Sequence, residues 1–313
     1  MGWFLFALCT TLAWGVADLF YKKGADESDK YSHLKTTMLV GVAMGLYATY
    51  MITLGGVEFH PINLLIYLPV SAMYILSMAI GYFGLRYLDL SISSPIQNAS
   101  GVVSALLFFL ILGETIDLPS GIAILLICVG VFMLGLIEKK NQDLDAALAP
   151  EDRKYKIGFV AFMMPILYCI IDSLGTFFDG YYLDDIATTP LRYVTEDNYE
   201  DVANVAYMYT FFIVAVIIFI FLLIKKEKIE IPKQRDRALA AVAETLGQIT
   251  YVYAISGNAI VVAPMISSYC IVSLILSRVF LKEKLTVKQY LMVGLVVVGI
   301  LMLGIIDGIN GDV

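Results

Sequence analysis

The chain has 313 residues, 59% of them apolar and only 16% charged, with a mean hydropathy of +0.81. That balance excludes a soluble globular domain, and no stretch between the apolar runs is long enough to hold one. The formal charge of −7 names no partner, because the charge is segregated along the chain, and no basic patch with interleaved aromatics points to nucleic acid.

A membrane span needs about 20 mostly apolar residues. Ten are predicted, at 2–21, 36–55, 63–85, 92–112, 119–137, 157–178, 204–224, 237–255, 259–278 and 287–306. Span 1 carries Trp14 and Asp18 and runs directly into Lys22-Lys23. No charge precedes it and no small-residue cleavage site follows, so it reads as a span rather than a cleaved signal. Spans 3 and 4 are separated by a few residues and form a hairpin, with Tyr82 near the end of span 3. Span 4 opens with Pro95, a residue that fits the first turn of a helix. Gln97, Asn98 and Ser100 follow, and the two amides can hold a polar solute or bond a neighbouring helix.

After span 5, residues 138–156 are charged and Ala-rich and read as a linker between halves 1–137 and 157–313. Span 6 holds Tyr168 and Asp172. Loop 179–203 is acidic, with Asp179, Asp184, Asp185, Glu196, Asp197, Glu200 and Asp201. It is a solvated loop, or a lid or vestibule that attracts cations. In span 8, Glu244, Gln248 and Tyr251 are four and seven residues apart and share a helix face. Span 9, also separated from its predecessor by a few residues, offers Ser267, Ser268 and Tyr269. Cys9, Cys128, Cys169 and Cys270 fall inside spans and read as packing thiols. His33 and His60 are lone loop residues. No metal cluster, phosphate-cradling motif or cofactor is expected.

Twenty of the 21 Lys and Arg residues fall in alternate loops, the exception being Arg192. Cytoplasmic loops collect Lys and Arg, so the odd-numbered loops are predicted to be cytoplasmic and both termini outside, as in a multi-pass plasma-membrane protein.

The two halves repeat. Aligning Pro95 with Pro264 pairs Tyr82 with Tyr251, Ser104 with Ser273, Glu114 with Glu283, Gly130 with Gly299 and Gly135 with Gly304, all without a gap. A second register pairs Trp14 with Tyr168 and Asp18 with Asp172. Five spans per copy is an odd number, so the copies run oppositely through the membrane. The fold predicted is an all-α integral membrane protein of ten helices in two inverted five-helix repeats, the plan of many secondary transporters.

These residues resemble a family. The stretch YFGLRYLDLSISSP (82–95), Gly113-Glu114, Lys282-Glu283-Lys284-Leu285-Thr286 and Ala13-Trp14-Gly15 are similar to the hallmarks of EamA-like members of the drug/metabolite transporter superfamily. The resemblance covers nearly the whole chain. It departs in the long acidic loop and in Lys-Glu where the second copy usually has Gly-Glu. It implies ten helices in two inverted repeats, a central cavity and a small organic solute, without naming the solute.

A carboxylate in hydrocarbon costs several kcal/mol unless it is neutral, paired or hydrated. Asp18, Asp172 and Glu244 are the acidic residues inside predicted spans, and no Lys or Arg lies deep in one. They are therefore expected to face a polar cavity, with Trp14, Tyr82, Gln97, Asn98, Tyr168, Gln248, Tyr251 and Tyr269 as further substrate-binding candidates. Trp14 and Tyr168 stand one turn from the two Asp residues and can flank a cation. The chain is thus read as a non-enzymatic secondary transporter of a cationic or zwitterionic metabolite, partnered by the lipid bilayer and by its solute or coupling protons. The competing readings are an intramembrane aspartyl protease using Asp18 and Asp172, and a receptor or scaffold.

Overall fold

The computed structural model describes residues 2–26, 28–148, 158–283 and 285–311. It is 81% helix, and the described residues contain no strand. The helices are α1 (Trp3–Gly24), α2 (Ser32–Thr53), α3 (Ile62–Ile66), α4 (Leu68–Gly84), α5 (Leu90–Gln97), α6 (Ser100–Leu107), α7 (Leu118–Leu148), α8 (Gly158–Leu183), α9 (Tyr199–Ile224), α10 (Arg235–Ser267), α11 (Tyr269–Leu276) and α12 (Val287–Gly311). Among the described residues, six stretches are long and apolar enough to cross a membrane: Trp3–Gly24, Ser32–Thr53, Ser93–Leu112, Leu118–Ile137, Tyr199–Ile224 and Arg235–Leu281. The last is 47 residues long, and Asn258 (φ −170°, ψ 82°) divides it.

The polarity of the bundle is the reverse of a water-soluble protein's. Leu46, Leu110, Leu125, Ile217, Ile224, Leu291 and Leu301 are exposed, while Asp18, Asn98, Asn204, Glu244 and Gln248 are buried. Water would penalise that apolar surface by roughly 25 cal/mol per Å²; lipid does not. The chain is a multi-pass membrane protein.

The two halves of the chain share irregularities at one fixed offset. α6 passes into a π-helical turn at Phe108–Leu112, and α11 into one at Ser277–Leu281. Each turn ends in a left-handed residue, Gly113 (φ 69°) or Lys282 (φ 59°). The offset between these elements is the one that separates Pro95 from Pro264. At the same offset, α5 begins after Asp89 and the second segment of α10 begins after Asn258. Each new helix start has backbone N–H groups with no partner inside the helix, and the opposite copy supplies one. The Glu283 carboxylate accepts from the N–H groups of Leu90 (3.3 Å) and Ser91 (3.1 Å). Glu114, its counterpart, accepts from the N–H of Ile260.

The major packing pairs also link the copies: α1 lies along α10, α4 along α8, α2 against α9, and α7 against α12.

Three sequence expectations need correction. Pro95 is not in a first turn but inside α5, which starts at Leu90. Lacking an N–H, it weakens the helix, and α5 ends at Gln97, two residues later; Pro264 precedes the end of α10 at Ser267 in the same way. The acidic loop begins at 184, because α8 continues through Asp179 to Leu183. The expected linker is partly helical, since α7 runs to Leu148; residues 149–157 lie outside the described segments.

Candidate functional site

The broken helices meet α1, α4, α8, α9 and α10 around an internal cavity. It offers about 60 Å³ that can hold the centre of a water molecule. Asp18, Asp172 and Glu244 all line it, and among the described residues no Lys, Arg or His does.

Each carboxylate has its own hydroxyl partners. Asp18 accepts from Ser94 (2.6 Å) on α5 and from Ser273 (2.7 Å) on α11. Asp172 accepts from Ser100 (2.7 Å) on α6 and from Ser77 (3.4 Å) on α4. Glu244 accepts from the Tyr21 hydroxyl (3.1 Å). The breaks after Gln97 and Ser267 place these serines: α5 ends and α6 begins at the level of the cavity, so Ser94 and Ser100 reach carboxylates of different copies. Asp18 and Asp172 thus sit in separate serine shells, an arrangement that gives no support to a shared-proton aspartyl dyad.

Aromatic rings form much of the remaining wall. Trp14 lies 5.1 Å from Tyr251 and 5.9 Å from Tyr269, centroid to centroid, and Tyr21 lies 4.4 Å from Tyr82. The indole fits because position 247 is glycine: a Cβ there would stand 2.3 Å from Trp14 Cδ1. The Trp14 indole N–H is anchored by the Glu244 carbonyl oxygen at 3.3 Å. Asn98 donates to the Ser94 carbonyl (2.9 Å), tying the end of α5 back on itself. Gln97 Nε2, a buried group of a lining residue, has no hydrogen-bond partner among the described residues, while the Tyr82 hydroxyl lies beside that of Tyr21. An unmade bond of this kind costs about 1–3 kcal/mol.

Of the eleven candidates named from sequence, ten line this cavity: Trp14, Asp18, Tyr82, Gln97, Asn98, Tyr168, Asp172, Glu244, Tyr251 and Tyr269. Gln248 does not; its amide turns toward Asn204 on α9 (3.5 Å). The sequence reading missed Tyr21, Tyr74, Thr176 and Tyr207, which also line the cavity. Tyr21 lies three residues from Asp18 and Thr176 four from Asp172, so helical spacing carried a signal for those two.

A lattice of polar bonds crosses each end of the bundle. At the Lys-rich end, Lys22 Nζ donates to the carbonyls of Leu85 (2.9 Å) and Leu88 (2.6 Å). There too Asp29 pairs with Lys35 (3.0 Å) and Arg237 (3.4 Å). At the acidic end, Ser256 donates to Glu200 (2.6 Å), and Tyr253 to Asp201.

The model of the EamA-like transporter family matches residues 1–136 and 200–305. The chain belongs to the EamA-like transporter family. The match leaves out 137–199, the stretch that holds α8 and the acidic loop. No curated protein matches the chain. A solved crystal structure matches with a TM-score of 0.61 at 12% identity, covering 97% of this chain and 96% of that one; at that identity the likeness is one of fold.

Proposed function

We propose that this EamA-like protein is a secondary transporter of a small cationic or zwitterionic solute carrying an amine. The observation that carries this reading is the charge imbalance of the cavity: three carboxylates and a wall of aromatic rings, with no basic side chain among the described residues that line it. An ammonium group placed there would receive carboxylate contacts and cation–π contacts together, and the neutral donors Tyr82 and Gln97 suit the solute's remaining acceptors. The modest space for water centres favours a metabolite over a large drug.

The mechanism we infer is alternating access. Ten spans form two five-helix repeats of opposite direction, and the broken fourth and ninth spans lie against the solute, as in other inverted-repeat transporters. The matched breaks and the reciprocal Glu114 and Glu283 caps support the duplication. The odd span number supports the inversion. The charge distribution supports cytoplasmic Lys-rich loops, external termini and residence in the plasma membrane.

The test is uptake by proteoliposomes holding the purified protein, with radiolabelled amines, amino acids, nucleosides and sugars in parallel. Saturable movement of an amine-bearing compound, with neutral sugars left behind, is the expected outcome. Saturable movement of sugars or anions alone would overturn the substrate class.

A further inference from the structure

Beyond the three carboxylates of the cavity stands a fourth. Asp179 is seven residues, or two helical turns, past Asp172 on α8, about 10 Å along the helix axis. It is fully buried. Its Oδ1 accepts from the Tyr67 hydroxyl, and the Tyr251 hydroxyl is a second hydrogen-bonding neighbour of the carboxylate. Asp179 does not line the cavity; a row of hydroxyl groups lies between. Tyr251 is close enough to Asp179 to interact electrostatically. The Tyr251 hydroxyl bonds that of Tyr74 at 2.7 Å, and Tyr74 bonds Thr176 at 2.9 Å. Tyr74, Thr176 and Tyr251 all line the cavity beside Asp172.

Among the described residues, the titratable groups that face Asp179 are Tyr67 beside α4, Tyr74 on α4, Tyr207 on α9 and Tyr251 on α10. All are acids. On the other side, Asn63 fastens the acidic loop: its side chain bonds the Arg192 carbonyl (2.8 Å) and N–H (2.9 Å). Asn63 is one turn before Tyr67, so the loop bearing Asp184, Asp185, Glu196 and Asp197 is pinned beside the Tyr67–Asp179 pair.

A solute cannot pass between bonded tyrosines, but a proton can. Each hydroxyl both donates and accepts. We propose that Asp179 is a proton-binding site that exchanges with the acidic-loop side and communicates with the cavity through Tyr251, Tyr74 and Thr176. This rests on the transport reading and supplies it with a coupling proton. In one passage the Asp179 carboxyl releases a proton to the Tyr251 oxygen as Tyr251 gives its own to Tyr74. Tyr74 in turn gives its own to the Thr176 oxygen, and Thr176 gives its own across to the Asp172 carboxylate, four residues earlier on α8. One carboxyl is deprotonated, one is protonated, each hydroxyl is restored, and no electrons change hands.

Infrared spectroscopy of the purified protein in lipid tests this with the proton and deuteron as the only probes. A protonated-carboxyl band that titrates with pH in the wild type is expected to vanish in Asp179→Asn and to persist in Asp172→Asn. Tyr251→Phe is expected to keep that band while deuterium exchange at Asp172 slows on the order of tenfold or more. If Asp179→Asn does not fold, Asp179→Glu is expected to shift the same band. A spectrum with no titrating band lost in Asp179→Asn, or wild-type exchange in Tyr251→Phe, would overturn the proposal. These readings need no substrate, so failure of every amine in the uptake assay would count against the transport reading alone.

Discussion

Trp14 shows how one residue ties sequence to site. It belongs to an Ala-Trp-Gly string in the first helix, and its ring is seated between Tyr251 and Tyr269 by the missing side chain at Gly247. Gly247→Ala is therefore expected to push the indole into the cavity or out of it. With Trp3→Phe as background, Trp14 is the sole tryptophan, and its fluorescence is expected to change when a transported amine binds. Adding Gly247→Ala is expected to abolish that change, and an unaltered response would remove Trp14 from the cavity wall. At this scale the carboxylates were the most legible residues, because an ionisable group stands out in an apolar run. Gln248 stands outside the cavity lining because shared helix face is a coarse criterion. Four residues on, a side chain is rotated about 40° from Glu244, enough to turn it toward Asn204.

The helices themselves were legible as apolar length; their interruptions were not. A π-turn has the composition of the helix around it, so Phe108–Leu112 and Ser277–Leu281 carried no sequence signal beyond the repeat. The Pro95 and Pro264 breaks are displaced from the prolines that provoke them. Asp179 was assigned to a loop because its neighbours are acidic and aromatic, yet its side chain finds Tyr67 inside the bundle, which lets α8 continue. The paired left-handed residues give a test at this scale. A side chain in that conformation costs roughly 1–2 kcal/mol, and glycine avoids it. Gly113→Ala is expected to lower the thermal stability of the detergent-solubilised protein, and Lys282→Gly to raise it. Shifts of the same sign in both variants would contradict equivalent turns.

At the scale of the whole molecule, a repeat was proposed because unlike residues match at fixed spacing, and the belt of exposed leucine and isoleucine agrees with a lipid-embedded bundle. How the helices break and cross to form the cavity was not readable, since that depends on contacts distant in the chain, such as Ser273 with Asp18 and Glu283 with Leu90. Orientation rests on charge alone and is testable directly. In a protein lacking its four native cysteines, Glu196→Cys is expected to react with an impermeant maleimide on intact cells, and Lys226→Cys only after permeabilisation. The reverse pattern would invert the topology while leaving the fold intact.

The measurement that bears most directly on the carboxylate-lined cavity as a transport site compares wild type with Glu244→Gln in proteoliposomes, for binding, exchange and concentrative transport of the amine found by the uptake screen. Glutamine keeps the shape and the bond with Tyr21 but not the charge. If Glu244 holds the amine, affinity is expected to fall by about 1–3 kcal/mol, roughly five- to 150-fold, the scale of a lost charge-assisted hydrogen bond. If it carries a coupling proton, concentrative transport is expected to disappear while exchange and binding persist. Unchanged affinity, unchanged concentrative transport and an unchanged pH profile together would show Glu244 to be structural and would contradict the cavity's assignment.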